Sequence, residues 1–271
     1  MTQLKNLIAT FEQLWPVSGA ESWDAPGLVS GNPDAVIKRV LLSVDVTNEL
    51  VDEAAGEYGL LLSHHPFLMR GITLAGEDRA KGAVLAKAIR ANLALFAAHT
   101  NADIVVDGVS AALAKAFGLE EAKPLVASAN PGEGHGRVGK LQKATSLGEF
   151  ARAIAKVLPA TASGVRVAGD FKLPVQTVAL CGGAGDSFIS AAAESGADVY
   201  VTSDLRHHVV QEARETAQLA GGKPALVDIS HWAAEWIWLE VAAEQLRKLH
   251  NDVEFVVSDL RTDPFDFVIT Q

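Results

Sequence analysis

The chain has 271 residues, of which 49% are hydrophobic, 21% are charged and 6% are aromatic. This composition excludes disordered, collagen-like and disulfide-scaffold proteins, and it is typical of one large or two smaller α/β domains. The 23 basic and 33 acidic side chains leave a formal charge of −10 at pH 7. A broad nucleic-acid-binding surface is therefore not expected, because backbone phosphates would be repelled. A small anionic ligand stays compatible with this charge if a metal ion receives it.

Cysteine content and terminal sequence indicate the compartment. The single cysteine, Cys181, excludes an intramolecular disulfide and a thiolate zinc cage. The first residues (MTQLKNLIATFEQLW) have the apolar spacing of an amphipathic helix and contain Glu12, so they do not resemble a signal peptide. No apolar run approaches the about 18 residues that a membrane span needs. We expect a reducing, cytoplasmic environment and no membrane partner.

Short runs rich in valine and leucine alternate with longer helical patterns along the chain. Strands are predicted at residues 39–46, 59–63, 93–98, 164–168, 177–181, 198–202, 224–229 and 254–258. Helices are predicted at residues 48–58, 77–91, 108–117, 146–158, 187–195, 206–219 and 231–250. Strands that are apolar throughout are typical of parallel sheets covered on both faces, so an α/β fold with mostly parallel sheets is predicted. Residues 128–136 (SANPGEGHG) are the most linker-like stretch.

Two histidine clusters follow predicted strands of the first half. In the SHHP motif, His64 and His65 stand at the C-terminal end of a strand, where ligand sites of open α/β sheets lie. In the HTNAD motif, His99 and Asp103 follow the next strand, so Asp103 can share a site with the two imidazoles if the strands are neighbours. The alternatives are an ordinary surface loop for the first motif and a polar turn, with Asp103 capping a helix, for the second.

Two further clusters lie in the second half. His231 and Glu235 are spaced i, i+4 and share one helix face, which suits two ligands of one metal but also an ordinary His–Glu contact. The cluster Asp204-Leu205-Arg206-His207-His208 also follows a strand and could orient a ligand or, through His207, transfer a proton. Together, the imidazoles and carboxylates are too many for one four-coordinate structural zinc and suit a pair of ions bridged by a carboxylate. Nitrogen and oxygen ligands favour Zn, Mn, Fe or Ni.

The ordered set of motifs resembles the Nif-three-like dinuclear-metal-centre hexameric proteins, often labelled GTP cyclohydrolase 1 type 2 homologues. The motifs run almost end to end: ESWDAPG at 21–27, SVDVT at 43–47, SHHP at 63–66, HTNAD at 99–103, CGGAG at 181–185, DVYVTSDLRHH at 198–208 and SHWAAE at 230–235. Two departures affect the expected pocket wall: Ala25-Pro26 stands where Asn-x is usual, and Ser203 stands where glycine is usual.

The resemblance implies a site, an architecture and an assembly. The implied ligands of two divalent metal ions per chain are His64, His65, Asp103, His231 and Glu235. Residues 1–128 would form a first α/β unit and residues 136–271 a similar second one, each with three layers and with the metal site between them. The helix at 231–250 would return its ligands to that shared site. A toroidal homohexamer with interior-facing metals is also implied.

Three functions compete at such a site. The first is a metal-dependent hydrolase that, as the family label suggests, opens the imidazole ring of a GTP substrate and releases formate, or else cleaves a phosphoester. His99 or His207 would then transfer protons, although orienting a ligand is the favoured role of His99. The second is a non-catalytic metal-binding hexamer that interacts with or regulates a partner, and the third is a purely structural metal site. The GGAG run at 182–185 could hold a phosphate, but a tight turn between strand and helix is favoured.

Overall fold

The computed structural model describes residues 1–270. Its α-helices are α1 (Leu4–Leu14), α2 (Asn48–Ala54), α3 (Ala80–Arg90), α4 (Thr100–Asp103), α5 (Val109–Ala116), α6 (Leu147–Val157), α7 (Ile189–Glu194), α8 (His207–Leu219) and α9 (His231–Leu249). Its strands are β1 (Gly27–Ser30), β2 (Arg39–Ser43), β3 (Leu60–Ser63), β4 (Ala94–Ala97), β5 (Leu119–Lys123), β6 (Val126–Ala127), β7 (Gly134–His135), β8 (Arg137–Ser146), β9 (Arg166–Ala168), β10 (Pro174–Ala184), β11 (Val199–Ser203), β12 (Ala225–Asp228) and β13 (Glu254–Val257). Within the described range, no helix is both long enough and apolar enough to cross a bilayer.

The first compact unit comprises Met1–Ala102 and Leu239–Thr262. Its sheet has the strand order β1-β4-β3-β2-β13 and is parallel except for β1, which pairs antiparallel with β4. Nearly every residue of β2, β3 and β4 is buried, which explains why these strands are apolar on both faces. The predicted adjacency of the strands that precede the SHHP and HTNAD motifs is confirmed.

Local chemistry sets the helix boundaries in this unit. In α1, Leu4, Leu7 and Phe11 are buried on one stripe, as the apolar spacing predicts. Helix α2 begins where the Thr47 hydroxyl accepts a hydrogen bond from the Leu50 amide at 3.2 Å, which satisfies an amide at the helix start. It ends at Ala54, earlier than predicted. Gly56 follows shortly after that end and has a positive φ of 81°, and a glycine in this conformation commonly ends a helix.

The second compact unit comprises Asp103–Trp238 and the chain from Asp263 onward. Its main sheet has the order β5-β8-β10-β11-β12-β9, with β10, β11 and β12 parallel and the other pairs antiparallel. A buried cluster that includes Phe150, Val178, Val199 and Val227 forms its core. The predicted α/β class is confirmed, and parallel strands occupy the centre of each main sheet.

Some elements differ from the sequence-based prediction. The strand predicted at 39–46 ends at Ser43, where the Ser43 hydroxyl bonds the carbonyl of Asp45 at 2.6 Å and turns the chain. Strands β1 and β5 were not predicted. Part of the linker-like stretch at 128–136 is paired, because β7 forms a short antiparallel ladder with β6.

Candidate metal centre

The SHHP motif forms a stiff turn at the end of β3. The amides of His64 and His65 donate to the carbonyls of Ser43 and Val44 at 3.0 and 2.8 Å, so the turn continues the pairing of β3 with the chain after β2. The Ser63 hydroxyl donates to the carbonyl of His65 at 2.9 Å and closes the turn from inside. Two adjacent imidazoles are thereby held with their ring centroids 5.2 Å apart.

Each imidazole of this motif is oriented by an oxygen on its Nδ1 side. His64 is fully buried, and its Nδ1 lies 2.9 Å from the carbonyl oxygen of Ala98. The Nδ1 of His65 lies 2.7 Å from Oδ1 of Asp45. Because a carbonyl or carboxylate oxygen only accepts, the proton of each neutral ring resides on Nδ1 and the lone pair resides on Nε2. This is the arrangement that metal-ligating histidines ordinarily have.

His99 completes a cluster of three imidazoles in the first unit. Its ring centroid lies 5.1 Å from that of His64 and 5.4 Å from that of His65. One ring nitrogen from each of the three residues lies within 4.8 Å of the other two, a spacing that could hold a metal ion. The strand adjacency of β3 and β4 brings these motifs together.

Asp24 orients His99, and it is a residue to which the sequence analysis gave no role. Its Oδ1 lies 2.8 Å from Nδ1 of His99, and its Oδ2 accepts from the amide and the hydroxyl of Thr100. Burial raises the pKa of this carboxyl, but the hydrogen bonds from His99 and Thr100 outweigh it and hold the pKa well below its usual range. Asp24 is therefore a fixed carboxylate. The sequence feature that could have identified Asp24 is its position within the ESWDAPG motif.

In the second unit, His231 and Glu235 meet on one face of α9. The Nε2 of His231 lies 2.8 Å from Oε1 of Glu235, and its Nδ1 lies 2.7 Å from Oδ2 of Asp204. Burial alone would lower the pKa of His231, but the charges and hydrogen bonds of Glu235 and Asp204 raise it well above its ordinary value. A proton therefore holds the place between imidazole and buried carboxylate that a metal cation would take.

The backbone around this pair leaves space that only glycine provides. Gly183 has φ +72°, and a Cβ there would lie 2.7 Å from Oε1 of Glu235 and 3.5 Å from Nε2 of His231. Asp204, which bonds His231, adopts a left-handed φ of 59° directly after β11. A non-glycine residue in this conformation is uncommon and is often found at functional sites.

Cys181 and Asp103 lie in the same unit. Asp103, at the end of α4, is half-buried, and its negative charge acts on the Cys181 thiol. Burial first and the charge of Asp103 second raise the pKa of Cys181 to about 12. The thiol therefore stays protonated at neutral pH and is a poor metal ligand or nucleophile.

Two predicted details of the second unit are corrected or located by the structure. The GGAG run was interpreted as a tight turn, but β10 continues through Ala184 and the turn begins only at Gly185. His207 is exposed at the start of α8, with its ring centroid 5.1 Å from that of His208, and its role in proton transfer stays a prediction.

Comparisons with known proteins place these motifs in a family context. The family model described as Duf34/NIF3 (NGG1p interacting factor 3) matches residues 2–264. A GTP cyclohydrolase 1 type 2 homolog of Streptomyces coelicolor is 44% identical over 273 residues, covering 98% of this chain and 94% of the relative. A protein of the same name from Clostridium perfringens is 31% identical and covers 98% of this chain and all (100%) of the relative.

Solved structures show the same fold. A Bacillus cereus protein related to NIF3 superimposes with a TM-score of 0.89 at 25% identity, covering 98% of this chain and 99% of that one. Reduced HcgD from Methanocaldococcus jannaschii superimposes with a TM-score of 0.77 at 28% identity, covering 96% and 98% of the two chains. The similarity extends over essentially the whole chain in both cases.

Proposed function

The chain belongs to the Duf34/NIF3 (NGG1p interacting factor 3) family, and from that membership we propose that it is a dinuclear, divalent-metal-dependent hydrolase. The proposed ligands of the two ions are His64, His65, Asp103, His231 and Glu235. Zn, Mn, Fe and Ni suit a set of imidazole and carboxylate ligands. The relatives named GTP cyclohydrolase 1 type 2 homolog support GTP as the substrate, with ring opening and release of formate.

One observation carries the proposal: every imidazole proposed as a ligand has an oxygen acceptor at Nδ1. The acceptors are the Ala98 carbonyl for His64, Asp45 for His65 and Asp204 for His231. Each ring is thereby fixed in orientation, with Nε2 as the nitrogen that can bind a metal. Buried polar side chains are hydrogen-bonded as a rule, and the feature that the three proposed ligands share is that the acceptor lies at Nδ1 in each ring.

The charges of the proposed ligands His231 and Glu235 also fit a divalent cation. Glu235 is only 3% exposed, and a buried carboxylate needs a positive partner. His231 supplies that charge as an imidazolium, since the pKa of His231 is raised. Metal binding would replace this proton with a cation, so binding should release protons and weaken as the pH falls.

In the proposed reaction the ions and His99 would have separate roles. When bound, the ions supply a Lewis-acid centre that polarises the substrate and increases the acidity of water. Nε2 of His99 would take the proton of the attacking water, because Asp24 bonds Nδ1 at 2.8 Å and stabilises the imidazolium that forms. The same nitrogen would return the proton to the substrate nitrogen as the ring C–N bond breaks, and release of formate would require a second water and a second transfer of this kind at the remaining C–N bond.

The family description favours a second candidate, a metal-binding protein that interacts with a partner and has no turnover, since it contains the words "interacting factor". Phosphoester cleavage at the same ions is a variant of the hydrolase proposal. In either case we propose that the chain assembles as a homohexamer. Light scattering tests the assembly, and a monomeric mass would refute it.

Turnover tests separate these functions. Purified chain would be loaded separately with Mn, Zn or Fe and incubated with GTP, and formate and inorganic phosphate would be measured. Formate release supports ring opening, phosphate release supports the phosphoesterase, and neither product with any metal supports the non-catalytic candidate.

Variants on α9 link turnover to the proposed ligands. We expect Glu235→Gln to lose about 10–100-fold in metal affinity, and turnover with it. Glu240→Gln is the matched control, because Glu240 lies on the same helix with a half-exposed side chain that pairs with Arg247. Equal metal affinity in the two variants would remove Glu235 from the ligand set.

A further inference from the structure

A cleft in the second unit has none of the proposed ligands among its lining residues. It has a volume of about 580 Å³ and runs between β9 and α8. Its lining is mixed: Val167, Leu205, Val210 and Leu226 are apolar, and polar side chains such as Glu215 line it as well. The volume falls within the range of clefts that hold a ligand or a short peptide segment.

One wall of the cleft is an open sheet edge. Strand β9 is the last strand in its sheet and pairs only with β12 within residues 1–270, so its outer backbone edge has no strand partner there. An edge of this kind accepts an additional extended segment through main-chain hydrogen bonds. Val167 on β9 is 42% exposed.

The other wall is the outward face of α8. Ala217 is the buried residue of this helix, whose remaining residues are exposed or half-buried. Arg214 lines the cleft, and its guanidinium has no ion-pair or hydrogen-bond partner in the part of the chain that the structure describes. Arg166 and Asp228 form an ion pair at the same cleft, and Glu215 also lines it, so the lining carries charges of both signs.

The same chain carries a segment outside its helices and strands whose apolar side chains face solvent. After Asp263, which accepts a hydrogen bond from the Ser230 hydroxyl at 2.5 Å, the chain to residue 270 has no helix or strand. The exposed fractions are 63% for Phe265, 78% for Phe267, 62% for Val268 and 79% for Ile269. So many large apolar side chains on one short segment mark an interaction site. We define residues 264–269 as the tail.

We propose that the tail of one copy of this chain binds in the cleft between β9 and α8 of a second copy, adding a strand to the edge of β9. The proposal rests on the proposed self-association and names the surfaces responsible. Apolar tail side chains would contact Val167, Leu205, Val210 and Leu226 in the cleft. A contact between unlike surfaces closes into a ring when its rotation permits, which suits a cyclic assembly.

Disulfide trapping between two variants that each carry one added cysteine tests the proposal. The native Cys181 is buried and its pKa is raised to about 12, so it does not compete. Full-length Val167→Cys and Phe267→Cys would be mixed under mild oxidation, with a mass tag on one chain to identify the mixed dimer. Val157→Cys mixed with Phe267→Cys is the matched control, because Val157 is a valine of the same unit that is 41% exposed. A disulfide requires Cα atoms within about 7 Å, so trapping reports seating of the tail.

The outcomes separate this proposal from the proposed function. We expect about tenfold more mixed dimer with Val167→Cys than with Val157→Cys, because docking raises the effective concentration of the thiols. Equal yields would overturn the proposal, and so would a disulfide formed within one chain by the double variant V167C/F267C at high dilution. A hexameric mass combined with equal yields refutes only the tail contact. A monomeric mass of the unmodified chain refutes the hexamer itself, while metal content and turnover test the hydrolase independently.

Discussion

Gly183 offers a direct test of how the proposed metal ligand Glu235 is positioned. We consider Gly183→Ala, with Gly196→Ala as its matched control. Both glycines have a left-handed φ, +72° at Gly183 and +75° at Gly196. An added Cβ at Gly196 meets nothing within 4 Å, whereas at Gly183 it lies 2.7 Å from Oε1 of Glu235. The two variants therefore share the backbone strain and differ in the contact with the ligand.

The shared strain affects stability. A left-handed conformation costs an alanine about 1–2 kcal/mol, and each kcal/mol shifts the melting temperature of a domain of this size by about 2–4 °C. We expect both metal-free variants to melt a few degrees below the parent chain in calorimetry. The comparison between the variants then isolates the effect at Glu235.

The contact at Gly183 affects metal binding. Ordinary carbon–oxygen contact needs about 3.4 Å or more, so Oε1 must retreat by roughly 0.7 Å. Oε1 is bonded to His231 Nε2 at 2.8 Å and its side chain is only 4% exposed, so the retreat disrupts the pair. We expect Gly183→Ala to lose about 10–100-fold in metal affinity by calorimetric titration and Gly196→Ala to lose almost none. Equal affinities in the two variants would refute the reasoning.

Two further predictions concern carboxylates. Asp24→Asn removes the anion that stabilises protonated His99, so we expect kcat to fall by about 100-fold or more while metal content is retained; unchanged kcat at full metal loading would exclude His99 as the proton-transfer group. Burial raises the pKa of Asp198, but the Lys223 ammonium and the amides of Gln176 and Thr177 outweigh it and lower the pKa. The stability that Asp198 contributes is therefore fully present above its unfolded pKa of about 3.9 and is lost as the pH falls through the lower folded pKa. We expect Asp198→Asn to reduce the free energy of unfolding by about 1–2 kcal/mol at pH 7 and by less at pH 3, as measured by urea denaturation; a pH-independent difference would contradict the assigned pKa direction.

The sequence predicted the elements whose residues are buried on both faces. Strands β2, β3 and β4 are apolar at nearly every position, and that pattern identifies a covered parallel strand without tertiary information. Strand β5 was missed because four of its five residues are exposed and its sequence LEEAK favours a helix. Its strand conformation depends on pairing with β8, which no local pattern reveals.

The residues of the candidate site were likewise only partly predictable from the sequence. The imidazoles and carboxylates proposed as ligands stand in short motifs at strand ends and at a helix start, so their positions made them candidates and the family resemblance implied the full set. Asp24, which bonds His99, and Asp45, which bonds His65, were given no role, whereas Asp204, which bonds His231, belonged to a cluster that could orient a ligand. These three aspartates bond histidines that lie 75, 20 and 27 positions away along the chain. Contacts at such separations leave no recognisable spacing pattern in the sequence.

The most direct test is a crystal structure of the metal-loaded chain, with anomalous data collected at the absorption edge of the bound metal. We predict two anomalous peaks about 3.5–4 Å apart, contacted by Nε2 of His64, His65 and His231 and by the carboxylates of Asp103 and Glu235. A single peak, no peak, or imidazoles that bind through Nδ1 would contradict the proposed dinuclear centre.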